Sequence, residues 1–167
     1  MLPILLNPLT SGIGLAGAGE GLQRRLATLH AAGVQPVPVT AQDALEGLSV
    51  LFVAGLEVSQ AAVLAQRARA AGVLVNVEDR PELCDFHVPA MVRRGDLMLT
   101  VSTAGRSPGL ARRLREWLEE RFGGEWHGHV AELGDERARW RAEGVPAGEI
   151  AARTRALIDA KGWLCAR

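Results

Sequence analysis

The chain has 167 residues, enough for one compact domain or a domain with a small appendage. Its 19 Lys and Arg balance 19 Asp and Glu, which argues against a nonspecific nucleic-acid binder or a polybasic membrane binder, and 48% hydrophobic with 23% charged residues is wrong for disorder. No apolar run approaches the roughly 18 residues of a membrane span, Met1–Thr10 lacks the positive flank of a secretory signal, and Cys84 and Cys165 are too few and too far apart for a disulfide scaffold or a zinc site.

These bounds lead us to expect a soluble, cytoplasmic protein that binds no nucleic acid and no membrane, with no metal ligand set. All the basic residues except Lys161 are arginines. Genome base composition is a sufficient cause, although Arg is also the better residue for gripping carboxylates through two hydrogen bonds.

In chain order, residues 12–16 read as a weak strand. Residues 20–32 read as a helix with Leu22, Leu26 and Leu29 on one face and Gly33 as its stop. Residues 35–39 are the next strand, and Pro36 and Pro38 confine it to an edge or a poorly paired position. A strand at 49–54, a helix at 58–71, and strands at 73–77 and 97–102 follow. Short strands alternating with helices describe βαβ units and a parallel sheet, and the unbroken apolar runs at 50–54 and 73–75 suit strands covered on both faces. Ser107-Pro108 then opens a helix that runs to about Phe122, with Ser as the cap and Pro in the first turn. Residues 125–143 and 147–161 read as two more helices, and no strand signal follows residue 103.

Gly12, Gly14, Gly17, Gly19 and Gly21 form a cluster in which two overlapping dinucleotide fingerprints can be drawn. One starts at Gly12 and needs a helix beginning inside the glycines, at about 1 kcal/mol per glycine. The other starts at Gly17-Ala18-Gly19, directly before the helix near Glu20, and is preferred, because a pyrophosphate site needs strand, tight turn and helix N-terminus in that order. A glycine-rich turn with no nucleotide is the alternative. Leu22 fills the third small position, and the chain after the second strand, Val39-Thr40-Ala41-Gln42, lacks the acidic residue that holds a ribose.

Two later stretches are more specific. Residues 76–81 read Asn-Val-Glu-Asp-Arg-Pro after a buried strand, and residues 102–115 read Ser-Thr-Ala-Gly-Arg-Ser-Pro-Gly-Leu-Ala-Arg-Arg-Leu-Arg. In this order and separation they resemble the precorrin-2 dehydrogenase/sirohydrochlorin ferrochelatase family, the siroheme synthase module. Leu2-Pro3-Ile4, the Gly17-Ala18-Gly19 turn with Arg24, and Phe86-His87-Val88-Pro89-Ala90 are similar to that family too.

The resemblance implies an α/β protein. A Rossmann-like parallel-sheet domain (1–86) would bind NAD, a small dimerisation and substrate-binding region (87–124) would follow, and a helical C-terminal region (125–167) would complete a homodimer. It implies NAD-dependent oxidation of precorrin-2 to sirohydrochlorin and, in bifunctional members, insertion of ferrous iron to give siroheme. NAD would lie over Gly17, Gly19, Glu20 and Gly21, bordered by Thr40, Ala41, Gln42 and Gly55. Asp79 matches the family's catalytic aspartate, a base for the proton that leaves with a hydride. Its plainer alternative is a cap on the turn before Pro81.

Asn76, Thr103, Arg106 and Ser107 are the candidate substrate residues. The last three stand at a helix start, where hydroxyls, N–H groups and a guanidinium suit a polycarboxylate. His127 and His129 fall near a family histidine, with a surface position as the alternative for each. Leu22, Ala61 and the two prolines of the second strand depart from the family pattern on the nucleotide side. Two other readings therefore remain: a chelatase without dehydrogenase activity, and a non-catalytic tetrapyrrole or nucleotide binder.

Overall fold

A computed structural model describes residues 2–164, so Cys165 lies outside the described residues. The described chain forms two compact units that divide between Val88 and Pro89.

The first unit is a parallel sheet of β1 (Ile13–Gly17), β2 (Val37–Pro38), β3 (Val50–Ala54) and β4 (Leu74–Val77), in the order β2-β1-β3-β4. α1 (Gly19–Ala31) links β1 to β2, and α2 (Val58–Ala70) links β3 to β4. All five residues of β3 are buried, and their alternation divides the core. Leu51 and Val53 pack with Val75 and Val77 against Ala61, Leu64, Ala65 and Ala68 of α2. Val50 and Phe52 pack on the other side with Ile13, Leu15 and Leu29, with Leu22 and Leu26 at the margin. Leu22, a departure as a nucleotide residue, is therefore a packing residue. The connections from β1 and β3 leave in opposite directions, so the sheet has its switch point between their carboxyl ends, where open α/β sheets place ligands.

Both sheet edges follow from the sequence. At one edge, β2 has only two residues and both are exposed, in keeping with a proline that cannot donate to a ladder. At the other, the chain after β4 makes a single 3-10 turn, Pro81–Leu83, and returns along the strand. The Val75 N–H donates to Asp85 Oδ2 at 2.9 Å and the Asp85 N–H donates to the Val75 carbonyl at 2.8 Å. The Val77 N–H donates to Cys84 Sγ at 3.2 Å. Side chains thus occupy ladder positions that another strand would otherwise fill, which closes this edge to further pairing.

The second unit differs from expectation at its start. Residues 97–102 do not join the parallel sheet. β6 (Leu97–Val101) pairs antiparallel with a strand the sequence reading lacked, β5 (Ala90–Arg94). Gly95 and Asp96 join them in a tight turn with Gly95 at φ +60, the position a type II′ turn reserves for glycine. α3 (Pro108–Arg121), α4 (Trp126–Ala142) and α5 (Ala147–Lys161) follow. Arg94 ties the hairpin to α3: its Nε donates to the Phe122 carbonyl at 2.8 Å, satisfying a helix-end acceptor. Trp140 and Ile150 are buried in α4 and α5, and Lys161 pairs with Glu132 at 2.7 Å. No helix among the described residues is long and apolar enough to cross a membrane.

Candidate functional site

The first unit brings three glycines to one crossing. A Cβ on Gly17 would collide with the Ala54 carbonyl, and one on Gly55 with the Ala18 carbonyl. A Cβ on Gly21 would stand 2.8 Å from both the Gly55 nitrogen and the Glu78 carboxylate. The ends of β1 and β3 and the start of α1 approach this closely because no side chains intervene. Gly19 is different: its φ is +59 and a Cβ there would meet nothing. α1 starts at Gly19 behind an uncapped Ala18, so the preferred turn is the observed one and the Gly12 fingerprint is mostly strand. The first-turn amides lack a side-chain cap beside an open glycine, an arrangement that fits a pyrophosphate. Glu20 stands in that turn, its side chain 97% exposed and 3.8 Å from Arg24.

Next to the crossing is a crevice of about 490 Å³ at the strands' carboxyl ends. Gly17, Thr40 and Ala41 line it, as anticipated, together with Leu56, Ser59, Gln60 and Arg67. Gln42 is exposed and does not line it. The wall from α2 escaped the sequence reading, although Gln60, Val63 and Arg67 follow helical spacing right after the third strand. Arg67 grips the loop beyond β2, donating to the Ala41 carbonyl and, at 2.8 Å, to the Asp43 carbonyl. The Thr40 N–H donates to Asp43 Oδ2 at 2.7 Å, and chiefly for that reason the Asp43 carboxyl is held below its usual range, with Arg67 adding a smaller pull.

Asp79 follows the carboxyl end of β4 with its side chain exposed. Its φ is +58, a left-handed conformation that L-residues other than Asn and Asp rarely adopt. The Arg80 N–H reaches back to the Val77 carbonyl at 3.3 Å, so Asp79 occupies the third position of a turn that normally carries Gly or Asn there. Its neighbour Glu78 reaches Arg24 of α1 at 3.6 Å. Glu78 thus ties the Asp79 turn to the helix that starts at the glycine crossing. Asn76 is 7% exposed and its amide is spent inside the unit, donating to the Phe86 carbonyl at 2.9 Å.

In the second unit, Thr103 to Arg106 form a tight turn with Ala104 at φ +51 and Gly105 at φ +79, closed by the Arg106 N–H on the Thr103 carbonyl at 3.0 Å. The Thr103 hydroxyl is engaged within the loop: it accepts from the Ser107 N–H at 3.1 Å and donates to the Ser107 carbonyl at 3.0 Å. Ser107 caps α3, accepting the Leu110 N–H at 3.4 Å, with Pro108 in the first turn. Arg106 is exposed at the mouth of this loop. His127 is exposed and packs on Gly95, while His129 is half-buried and stacks on Trp163 with ring centroids 4.1 Å apart.

Comparisons with known proteins agree with this layout. The NAD(P)-binding family model NAD_binding_7 matches residues 22–90. A siroheme synthase of Methylococcus capsulatus is 43% identical over 82 residues, covering 47% of this chain and 17% of that protein. Siroheme synthase 2 of Yersinia pestis is 30% identical over an alignment of 176 residues, covering 83% of this chain and 37% of that protein. Most of this chain is thus similar in sequence to the siroheme synthases. The chain spans well under half the length of these curated relatives. The fold is also that of a solved structure titled "SirC, precorrin-2 dehydrogenase", with a TM-score of 0.70 and 20% identity, covering 98% of this chain and 92% of that one.

Proposed function

We propose that this chain oxidises precorrin-2 to sirohydrochlorin with NAD. The observation that carries the reading is Asp79, an exposed carboxylate held in a left-handed turn past the carboxyl end of β4, at the same end of the parallel sheet as the glycine crossing. Backbone strain of this kind costs on the order of 1–3 kcal/mol and persists where its surroundings over-determine it, which favours function at this turn.

NAD, when bound, supplies the hydride acceptor. The open face of Gly19 and the uncapped amides of Glu20 and Gly21 would receive its pyrophosphate, and Thr40, Ala41, Ser59 and Gln60 would border the rest. Hydride loss from the reduced macrocycle is matched by proton loss, and the Asp79 carboxylate is the base that takes the proton. Arg106, the Ser107 hydroxyl and the free Gly109 N–H at the start of α3 would hold substrate carboxylates, while Thr103 keeps that loop in shape. Asn76 supports the Asp79 turn from within rather than touching substrate.

The family resemblance also supports a cytoplasmic homodimer, with residues 87–124 supplying both its interface and substrate contacts. Leu110, Leu114 and Trp117 give this some physical basis. They are 52%, 40% and 49% exposed and share one face of α3, as an apolar seam awaiting a partner does.

The test is anaerobic turnover. Precorrin-2 and NAD with the wild-type protein are expected to yield NADH and sirohydrochlorin together. Binding of both ligands without NADH would overturn the reading in favour of a non-catalytic binder, and metal insertion into added sirohydrochlorin without NADH would favour a chelatase.

A further inference from the structure

The strained turn at Asp79 needs something to hold it. Its turn-closing backbone hydrogen bond, Arg80 N–H to the Val77 carbonyl, is long at 3.3 Å, while the Glu78 N–H on the Val53 carbonyl at 2.9 Å and the Leu83 N–H on the Arg80 carbonyl at 3.0 Å brace one flank each. Among the described residues, the one side-chain group that reaches both ends of the turn is the sulfur of Cys84. Sγ accepts from the Val77 N–H at 3.2 Å and lies 3.2 Å from the Val77 carbonyl and 3.2 Å from the Arg80 carbonyl, either of which its S–H can serve. Val77 and Arg80 are the two ends of the turn. Asn76 Nδ2 approaches the same sulfur at 3.6 Å while donating to the Phe86 carbonyl, which fixes the segment that carries Cys84. The cysteine is half-buried and packs against the core cluster that contains Val75 and Val77.

From these contacts we infer that Cys84 is the positioning residue that holds Asp79 in its left-handed conformation, through hydrogen bonds from one sulfur to both ends of the turn. This rests on the proposed role of Asp79 as base. The thiol touches no substrate. It sets where the carboxylate stands, and a displacement of about 1 Å at a reacting group can cost about a hundredfold in rate. A weak thiol donor suffices because the sulfur is enclosed by backbone groups rather than water.

Four variants separate this inference from the reading beneath it. Asp79→Asn is assayed first: if it turns over like wild type, the base assignment fails and this inference falls with it. With Asp79→Asn inactive, Cys84→Val keeps the packing volume but offers no hydrogen bond. Its kcat is expected to fall about tenfold to a hundredfold, with KM for NAD within twofold of wild type. Cys84→Ser, which restores a donor and an acceptor on a shorter arm, is expected to recover most of that loss. The double variant Asp79→Asn/Cys84→Val is expected to be no slower than Asp79→Asn alone, because both changes act through one carboxylate. Hydrogen exchange at the Val77 amide supplies a readout independent of turnover and should quicken in Cys84→Val. Quickened exchange with wild-type kcat would overturn the positioning role while leaving Asp79 as base. A fall in melting temperature with kcat unchanged in the folded fraction would do the same.

Discussion

Among the described residues, the two units each place one non-glycine residue in the left-handed region, and they use it differently. In the first unit the strained residue is Asp79, at φ +58, and it carries the functional group itself. In the second it is Ala104, at φ +51, which carries none; the polar groups stand beside it on Thr103, Arg106 and Ser107. The bracing differs as well. Asp79 is held from outside its turn by a cysteine returning along the sheet edge. The Ala104 turn is held by its own flanks, through the Thr103 hydroxyl bridging to Ser107. Strain at the working residue fixes a single side chain, whereas strain at a silent residue bends the chain so that its neighbours converge.

The largest expected effect breaks the first half of that contrast. Asp79→Asn keeps a residue type that tolerates the left-handed region, so thermal unfolding should be unchanged or slightly later. Turnover should nevertheless fall by about 10²- to 10⁴-fold, the usual range for a lost base. Asp79→Gly should relieve about 1 kcal/mol of backbone strain and be equally inactive. Melting temperature and NADH production, measured on the same preparations, check both statements. Retained turnover in either variant would reduce Asp79 to a turn former.

The second unit should respond in the opposite way. Arg106→Ala removes the exposed guanidinium, and a hydrogen bond to a charged group is worth about 1.5–3 kcal/mol, so KM for the tetrapyrrole should rise roughly tenfold or more while kcat holds. Ala104→Gly should gain about 1 kcal/mol of stability with turnover and KM unchanged, because that residue shapes the loop without touching substrate. Ser107→Ala should lose about 1 kcal/mol through the α3 cap. If Ala104→Gly instead lost turnover, the contrast between a working and a silent strained residue would collapse.

The sequence makes the first unit's layers legible because β3 is buried throughout and β4 at all but Leu74, and the apolar runs at 50–54 and 73–75 are unbroken. The Gly17-Ala18-Gly19 turn is legible because a good helix follows it at once. The strand at Ala90–Arg94 is not, since of its five residues only Val92 is buried and two are arginines. The Gly95-Asp96 pair just before the 97–102 strand is the available signal, since a two-residue Gly-x turn implies an antiparallel partner on its other side. The Asp79 position is legible only as a motif. Nothing in residue spacing announces a left-handed aspartate, and nothing in a lone cysteine announces that its sulfur will occupy ladder positions beside Val77. Those facts depend on how the chain returns along β4, which the local pattern does not encode. The α2 wall of the crevice sits between these cases, readable from helical spacing once the switch point is known.

A third turn, Thr40–Asp43, extends the comparison and gives the smallest predicted effect. It needs no strained residue, since none of its φ angles is positive. A side chain tightens it: the Thr40 N–H donates to Asp43 Oδ2 at 2.7 Å, beside a longer backbone bond from the Asp43 N–H to the Thr40 carbonyl at 3.4 Å, and the first of these lowers the Asp43 pKa from 3.8. A carboxylate with a depressed folded value contributes stability that is present above the unfolded value and lost as pH falls through the folded one. The turn should therefore hold throughout the neutral range and loosen only below pH 3.8. Asp43 is fully exposed, so the consequence is local. The Thr40 amide resonance, followed by NMR on acidification, should move with a midpoint below 3.8, and Asp43→Asn should abolish that transition. An unchanged Thr40 titration in Asp43→Asn would show that another carboxylate drives it, leaving the Arg67 grip on the Ala41 and Asp43 carbonyls to shape this rim of the crevice.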